Sequence, residues 1–347
     1  MSLYSTNPLE DDRWVQLLGD HAQSSIFHTR GWLEALRRTY GYEPVVFTTS
    51  PPTHPLVNGI VCSRIQSWLT GSRLVSLAFS DHCQPLASTP EDLKVLVGLM
   101  AESCADQHCR YIELRPLISN TMELESHHKF TKSATFCYHA LDLRPDLDSL
   151  FRGFHKSCVQ RKIHRARTEG LAYESGRSDK LLRQFYSLLI LTRQRHGIVP
   201  QPIAWFRNLL DCMQDSVRIR VVSIDDKPVA SMITLHYKNQ IVYKYGCSDA
   251  QHHMLGGVPL LFWMTIQEGK GQQAEELDLG RSDHDHQGLI EFKNRLGALS
   301  RWLTYFRFPP GTATSRYRKT SFVLTLGAHG PAVLRKAAGT FLYRHIG

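Results

Sequence analysis

The sequence predicts a mixed α/β (α+β) fold in two domains, and three observations carry that expectation. Its 347 residues exceed what one ordinary core organises, because single cores stop growing near about 250–300 residues. Its composition, 42% hydrophobic and 21% charged, is that of a chain able to bury a core. Its periodicity alternates between helical and extended segments, closing on helices, an antiparallel meander and a helix–strand–helix–strand run.

The elements follow in order. Residues 31–40 put Trp32, Leu33, Leu36 and Tyr40 on one helical stripe. Extended runs are expected at 43–48, 56–66 and 73–77, a helix at 91–107, a short buried strand at 111–115 and a strand-pair region at 132–143. Leu143-Arg-Pro-Asp146 suits a linker or helix start, so the first domain is drawn over 1–145. A single helix is expected over 150–169, ended by Gly170, then helices at 179–196 and 203–213. Strands at 217–224, 229–237 and 240–247 are joined by the polar turns Asp225-Asp226-Lys227-Pro228 and Lys238-Asn239. A helix over 257–269 feeds a strand at 275–279 as a βαβ unit, and a helix at 287–296 and a strand at 302–308 complete a second domain over 146–310. The basic tail, 311–347, holds a strand candidate at 321–326 and a helix from 331 bearing Leu334, Arg335, Lys336, Phe341, Leu342 and Arg344. That helix suits packing back on the N-terminal domain, or peripheral contact with an anionic membrane.

Bulk properties narrow the function. No apolar run approaches the roughly 18 residues a bilayer span needs, and residues 1–14 are polar and acidic, unlike a signal peptide. Eight cysteines stand singly with no C-x-x-C pair, as expected of reduced thiols in a cytoplasmic protein. A net charge of +9 points to polyanionic partners: nucleotide phosphates, CoA, tRNA or anionic headgroups. No P-loop, Rossmann fingerprint or G-x-S-x-G elbow occurs. Asp283-His-Asp-His286 mixes metal-ligand types, but alternating neighbours in one loop rarely close a coordination shell, so no metal is expected.

The run Glu276-Leu-Asp-Leu-Gly-Arg-Ser282, followed by Gly288-Leu-Ile-Glu-Phe-Lys293 and Gly297, resembles the Fem-type branch of the GNAT superfamily. That branch includes peptidoglycan interpeptide-bridge aminoacyl transferases and relatives with BioF2-like acetyltransferase domains, some associated with exopolysaccharide loci. Arg161-Lys-Ile-His-Arg-Ala-Arg167 with Glu169-Gly170-Leu171, Phe27-His-Thr-Arg-Gly-Trp32, and the stretch from Ser80-Asp81 to Pro85-Leu86 agree with it. The resemblance covers most of 20–310 and implies tandem GNAT-like domains. It also implies that Lys293, beside Phe292, stabilises negative charge as the acyl donor is attacked. A fixed cation in a dry cleft contributes a few kcal/mol to such a step, roughly 2.7–4 for one donor to an oxyanion. The plain alternative makes Phe292 core and Lys293 a solvated helix residue.

Other candidates follow from position. Gly280-Arg281-Ser282 is expected in a loop after a strand, with Arg281 able to clamp a phosphate or carboxylate, or to pair with Asp283 or Asp285. Tyr243 and Tyr245 are expected on one sheet face by period-two alternation, to orient the acceptor, act as an acid, or simply pack. Gly256 and Gly257 precede a helix N-terminus that suits an anion, although the usual Gly-x-Gly spacing of a CoA loop is absent. Arg161, Lys162, Arg165 and Arg167 form a basic helix surface, an anchor for phosphate-rich partners or a solvated face.

The leading expectation is transfer of an acyl or aminoacyl group from acyl-CoA or aminoacyl-tRNA to an amine of a cell-envelope or polysaccharide precursor. A CoA-dependent N-acetyltransferase of a small molecule or sugar, and a non-catalytic RNA or nucleotide-sugar binding module on a GNAT scaffold, stay open beside it.

Overall fold

Side-chain capping sets the start of several helices. The computed structural model describes residues 2–68, 71–106, 109–117, 130–310 and 342–345. Helix α1 (Asp12–Asp20) starts where the Asp11 carboxylate accepts from the Arg13 backbone N–H. Helix α2 (Arg30–Tyr40) starts on Thr29 and ends on Gly41, whose φ of 71° favours glycine.

The described residues up to Thr135, with those from Leu303 onward, form one compact unit, and Phe136–Trp302 form another. In the first, strands β1 (Tyr4–Thr6), β2 (Glu43–Thr48), β3 (Ile60–Ile65), β4 (Arg73–Ser76) and β5 (Ile112–Leu114) lie side by side in that order. Only β4 and β5 run parallel, and Phe306–Phe308 pair antiparallel to β5. Helix α3 (Pro90–Asp106) covers this sheet with Leu93, Leu96, Val97, Met100, Ala101 and Cys104, a helical stripe packed on Phe47, Ile60 and Leu114.

In the second unit the order is β6 (Thr131–Asp142), β11 (Glu276–Ser282), β10 (Gln240–Ser248), β9 (Lys227–Tyr237), β8 (Val217–Ile224) and β7 (Ala172–Gly176). All neighbours are antiparallel except β10 and β11. The β8–β9 turn is the two residues Asp225 and Asp226, at φ 48° and 60°, as a tight hairpin needs. Helices α4 (Leu147–Gly153), α5 (Arg161–Thr168), α6 (Asp179–Arg195), α7 (Ile203–Met213), α8 (Gly257–Gly271) and α9 (Gln287–Arg295) pack around the sheet. Val222, Ala230, Ile241, Phe262, Trp263 and Leu277 belong to the core between sheet and helices.

Several expectations are corrected. The region 132–143 is one long strand, β6, rather than a pair. The single helix expected over 150–169 is broken into α4, a π-helical turn (Lys156–Gln160) and α5. Phe154 is extended and packs on Trp263, and the His155 N–H donates to the Arg295 carbonyl at 2.9 Å, so the break is fixed by tertiary contacts. Gly280, Arg281 and Ser282 are the last residues of β11 rather than a loop after it. Elements β1 and β7 carry too little periodicity to be read from sequence, whereas α1, unanticipated, buries Trp14, Leu17 and Leu18 at helical spacing behind its Asp11 cap. The tail elements expected at 321–326 and from 331 lie outside the described residues, apart from 342–345.

Candidate functional site

Strands β10 and β11 pair at only three positions, Gln240↔Glu276, Ile241↔Leu277 and Val242↔Asp278. Beyond them β10 continues beside β9, and β11 beside β6. A bulge follows the last pair in each strand, at Lys244 in β10 and at Leu279 in β11. A bulge adds an unpaired residue, bends its strand and raises its twist, so two at one level part the strands. Gly280 takes φ 69° there, and its N–H donates to the buried Asp278 carboxylate at 2.6 Å.

A cavity of about 280 Å³ lies at the N-terminus of α8. Gly257, Val258 and Pro259 of α8 line it, with Lys162 of α5 and Phe292 and Arg295 of α9. Gly256 is fixed by two constraints. Its φ is 81°, and an added Cβ would overlap the Lys162 backbone carbonyl. The first N–H groups of α8 and the positive end of its dipole open at this cavity, a disposition that suits an anion, with Lys162 and Arg295 in its lining and Arg295 itself paired with Glu291. Ser248, His252 and His253 complete the polar side. His253 Nε2 lies 2.8 Å from Ser248 Oγ, and burial, then Arg195 and Lys162, lower its pKa and favour the neutral ring.

Lys293 is buried, 3% exposed, which overturns the solvated-helix alternative. Its Nζ donates to the carbonyls of Gly280 at 2.9 Å and Arg281 at 3.1 Å. Its ammonium therefore sits against β11 just past the point where β10 departs. Phe292, about 100° round the helix, faces the cavity instead. His139 of β6, fully buried, donates from Nε2 to Asn294 Oδ1 at 3.1 Å. Burial and the Lys293 charge hold it below the usual imidazole range.

The two tyrosines do not share a face. The bulge at Lys244 aligns Tyr243 with Thr234 but Tyr245 with the adjacent Ile233, which reverses the alternation between them. Tyr243 packs on Phe262 of α8, with ring centroids 5.0 Å apart. Its hydroxyl occupies the space a Cβ on Gly246 would need, and burial raises its pKa, keeping the phenol protonated. Tyr245 lies towards α7, packed on Phe206 and accepting from Trp205 Nε1 at 2.8 Å.

Among the expected residues, Gly256, Gly257, Lys162 and Phe292 come together at the cavity. Arg281 instead stacks over Phe136, its Cζ 4.1 Å from the ring centroid, and Ser282 is buried opposite Cys137 in the sheet. Arg161 and Arg165 are exposed, Arg165 pairing with Glu169 at 3.3 Å. Cys158, Val229, Ala230, Ser248 and Arg295 line the cavity without having been singled out. Arg295 alone carried a signal, standing one helical turn after Phe292.

Comparison with known proteins agrees with this fold. Residues 154–288 match the family described as acetyltransferase (GNAT) domain. A 95-residue stretch is 30% identical to the UDP-N-acetylmuramoylpentapeptide-lysine N(6)-alanyltransferase of Weissella viridescens, covering 27% of this chain and 28% of that relative. The fold is similar to a FemX crystal structure, with TM-score 0.70 at 13% identity over 92% of this chain and 99% of that one. It is also similar to a tandem GNAT protein from the clavulanic acid biosynthesis pathway, with TM-score 0.56 at 12% identity over 89% and 99%. Residues 154–288 of the second unit thus match a GNAT domain, and the chain as a whole shares the fold of the FemX structure.

Proposed function

We propose that this protein transfers an acyl or aminoacyl group from an activated donor to an amine on a cell-envelope or polysaccharide precursor. One observation supports the reading: the cavity at the α8 N-terminus is lined by Ser248, at the end of the strand β10 that parts from β11, and by Phe292, next to the lysine whose buried ammonium lies on β11. The alanyltransferase relative, whose name specifies alanyl transfer to a lysine N6, supports an amine acceptor. The donor's anionic carrier sits at Gly256, Gly257 and Lys162. The acceptor nitrogen attacks the acyl carbonyl, forming a C–N bond and a tetrahedral oxyanion. Collapse breaks the bond to the carrier's oxygen or sulfur, which takes a proton from the Tyr243 phenol, and the proton shed by the amine restores it. The field of Lys293 opposes the negative charge that develops. Proximity in the slot supplies much of the remaining rate.

Incubating the chain with alanyl-tRNA or acetyl-CoA and UDP-N-acetylmuramoyl pentapeptide, with mass-spectrometric detection of acylated product, tests this. Alanylated product is expected. Acetylation of small amines from acetyl-CoA alone would favour the N-acetyltransferase reading, which the anion position at α8 also suits. No transfer from any donor, with tRNA binding that falls steeply in salt, would leave a binding module.

A further inference from the structure

We propose that Phe292 sets the size of the transferred group and restricts donors to short ones, of acetyl, glycyl or alanyl size; this rests on the transferase reading above. The carrier position and the reacting position are separated along α8. Phe262 stands five residues into that helix from Gly257, about 7.5 Å at 1.5 Å per residue. Phe292 lines the cavity and packs on Phe262 with ring centroids 5.6 Å apart, and Phe262 packs on Tyr243 at 5.0 Å. Tyr243 directly follows Val242, where the pairing with β11 ends. The three rings thus form a row between the α8 N-terminus and the parting of the strands. A donor held by its anionic carrier has to run its acyl group along this row to reach β11 and Lys293.

The row does not yield easily. Phe262 is fully buried, and Tyr243 is packed behind it with its hydroxyl against Gly246. Phe292 therefore cannot retreat towards α8 without displacing core side chains, and close-packed interiors resist that. A side chain or acyl tail longer than a methyl has to displace the Phe292 ring from Phe262. Differences of one methylene in such a pocket change rates by about 10–200-fold.

The test compares transfer from acetyl-CoA with octanoyl-CoA, and from alanyl-tRNA with phenylalanyl-tRNA, for the wild type, Phe292→Leu and Phe292→Ala. Thermal melting accompanies each assay. The wild type is expected to prefer the short donor on its working carrier by more than about tenfold. Phe292→Ala should narrow that ratio to near unity, with Phe292→Leu between. If the wild type uses long donors as readily as short ones, or folded Phe292→Ala keeps the wild-type ratio, the inference fails while the transferase reading stands. If no donor on either carrier is transferred, both fail.

Discussion

Replacing Lys293 separates two contributions that its position combines. Its Nζ supplies hydrogen bonds to the Gly280 and Arg281 carbonyls in a buried setting. Lys293→Met keeps most of the apolar stem but removes that donor from both carbonyls. A buried acceptor left bare costs roughly 1–3 kcal/mol, so the variant should lose about 2–6 kcal/mol. At about 2–4 °C per kcal/mol for a unit of this size, it melts several to roughly twenty degrees lower. Lys293→Gln carries an uncharged N–H donor on a stem one atom shorter and should recover part of that loss. The charge is absent in both. If the ammonium opposes an oxyanion, kcat of Lys293→Gln falls about 10²–10³-fold with little change in KM, at a temperature where the variant is fully folded. Steady-state kinetics paired with circular-dichroism melts read both quantities. A folded Lys293→Gln enzyme within about threefold of wild-type kcat would refute the electrostatic role and leave Lys293 as a positioning residue for the β11 bulge.

Three further outcomes follow from other positions. Burial holds His28 at about 4, below its ordinary 6.5, with Nε2 on the Gln84 carbonyl and Nδ1 accepting from the Ser25 N–H. The unfolded chain then binds the extra proton between about 6.5 and 4. Stability is full above about 6.5 and falls by about 3 kcal/mol towards pH 4; urea unfolding of wild type and His28→Gln at pH 7 and 4.5 should show the variant lacking that slope. Gly256→Ala places a Cβ into the Lys162 carbonyl at φ 81°, costing at least about 1–2 kcal/mol and displacing α5. Gly257→Ala meets the Ala230 Cβ at 3.2 Å and Val229 and Val222 at ordinary contact distances, with no backbone in the way, so melting and donor binding should suffer much more in the first variant. Arg220, 3% exposed, pairs with Glu268 at 2.8 Å, and Tyr173 donates to the same carboxylate at 2.6 Å. Glu268→Ala should cost towards the low end of about 3–5 kcal/mol because Glu268 is itself 31% exposed, with Glu268→Gln milder in chemical denaturation.

What the sequence made legible is what local chemistry decides. The meander β8–β10 shows because polar turns punctuate runs of β-branched residues, and α7 shows because Pro202 starts it. Gly256 shows because two adjacent glycines before an apolar helix mark a special backbone. The break after α4 is silent because residues 154–169 are compatible with helix; a hydrogen bond from His155 to Arg295, far along the chain, decides it. Lys293 reads as a surface residue because a lone lysine in a helix normally is one, and its carbonyl partners lie thirteen and twelve residues away on another element. His139 and Asp278 were hidden in the same way, each an ordinary polar residue in a strand until burial and neighbours gave it a role.

The bulges explain why the most specific sequence signal and the geometry agree. Period-two reasoning puts Tyr243 and Tyr245 together, but one unpaired residue at Lys244 sends one phenol to α8 and the other to α7. In β11 the bulge at Leu279 depends on Gly280 at positive φ, and the carbonyls it turns aside at Gly280 and Arg281 are those that Lys293 holds. Gly280-Arg281-Ser282 and Phe292-Lys293 are therefore one device. The glycine lets the strand deviate, the lysine secures the deviation, and the neighbouring phenylalanine is carried to the cavity wall by the same helix. A strand edge released from pairing is what the proposed acyl transfer calls for, and Gly280 and Lys293 meet at it.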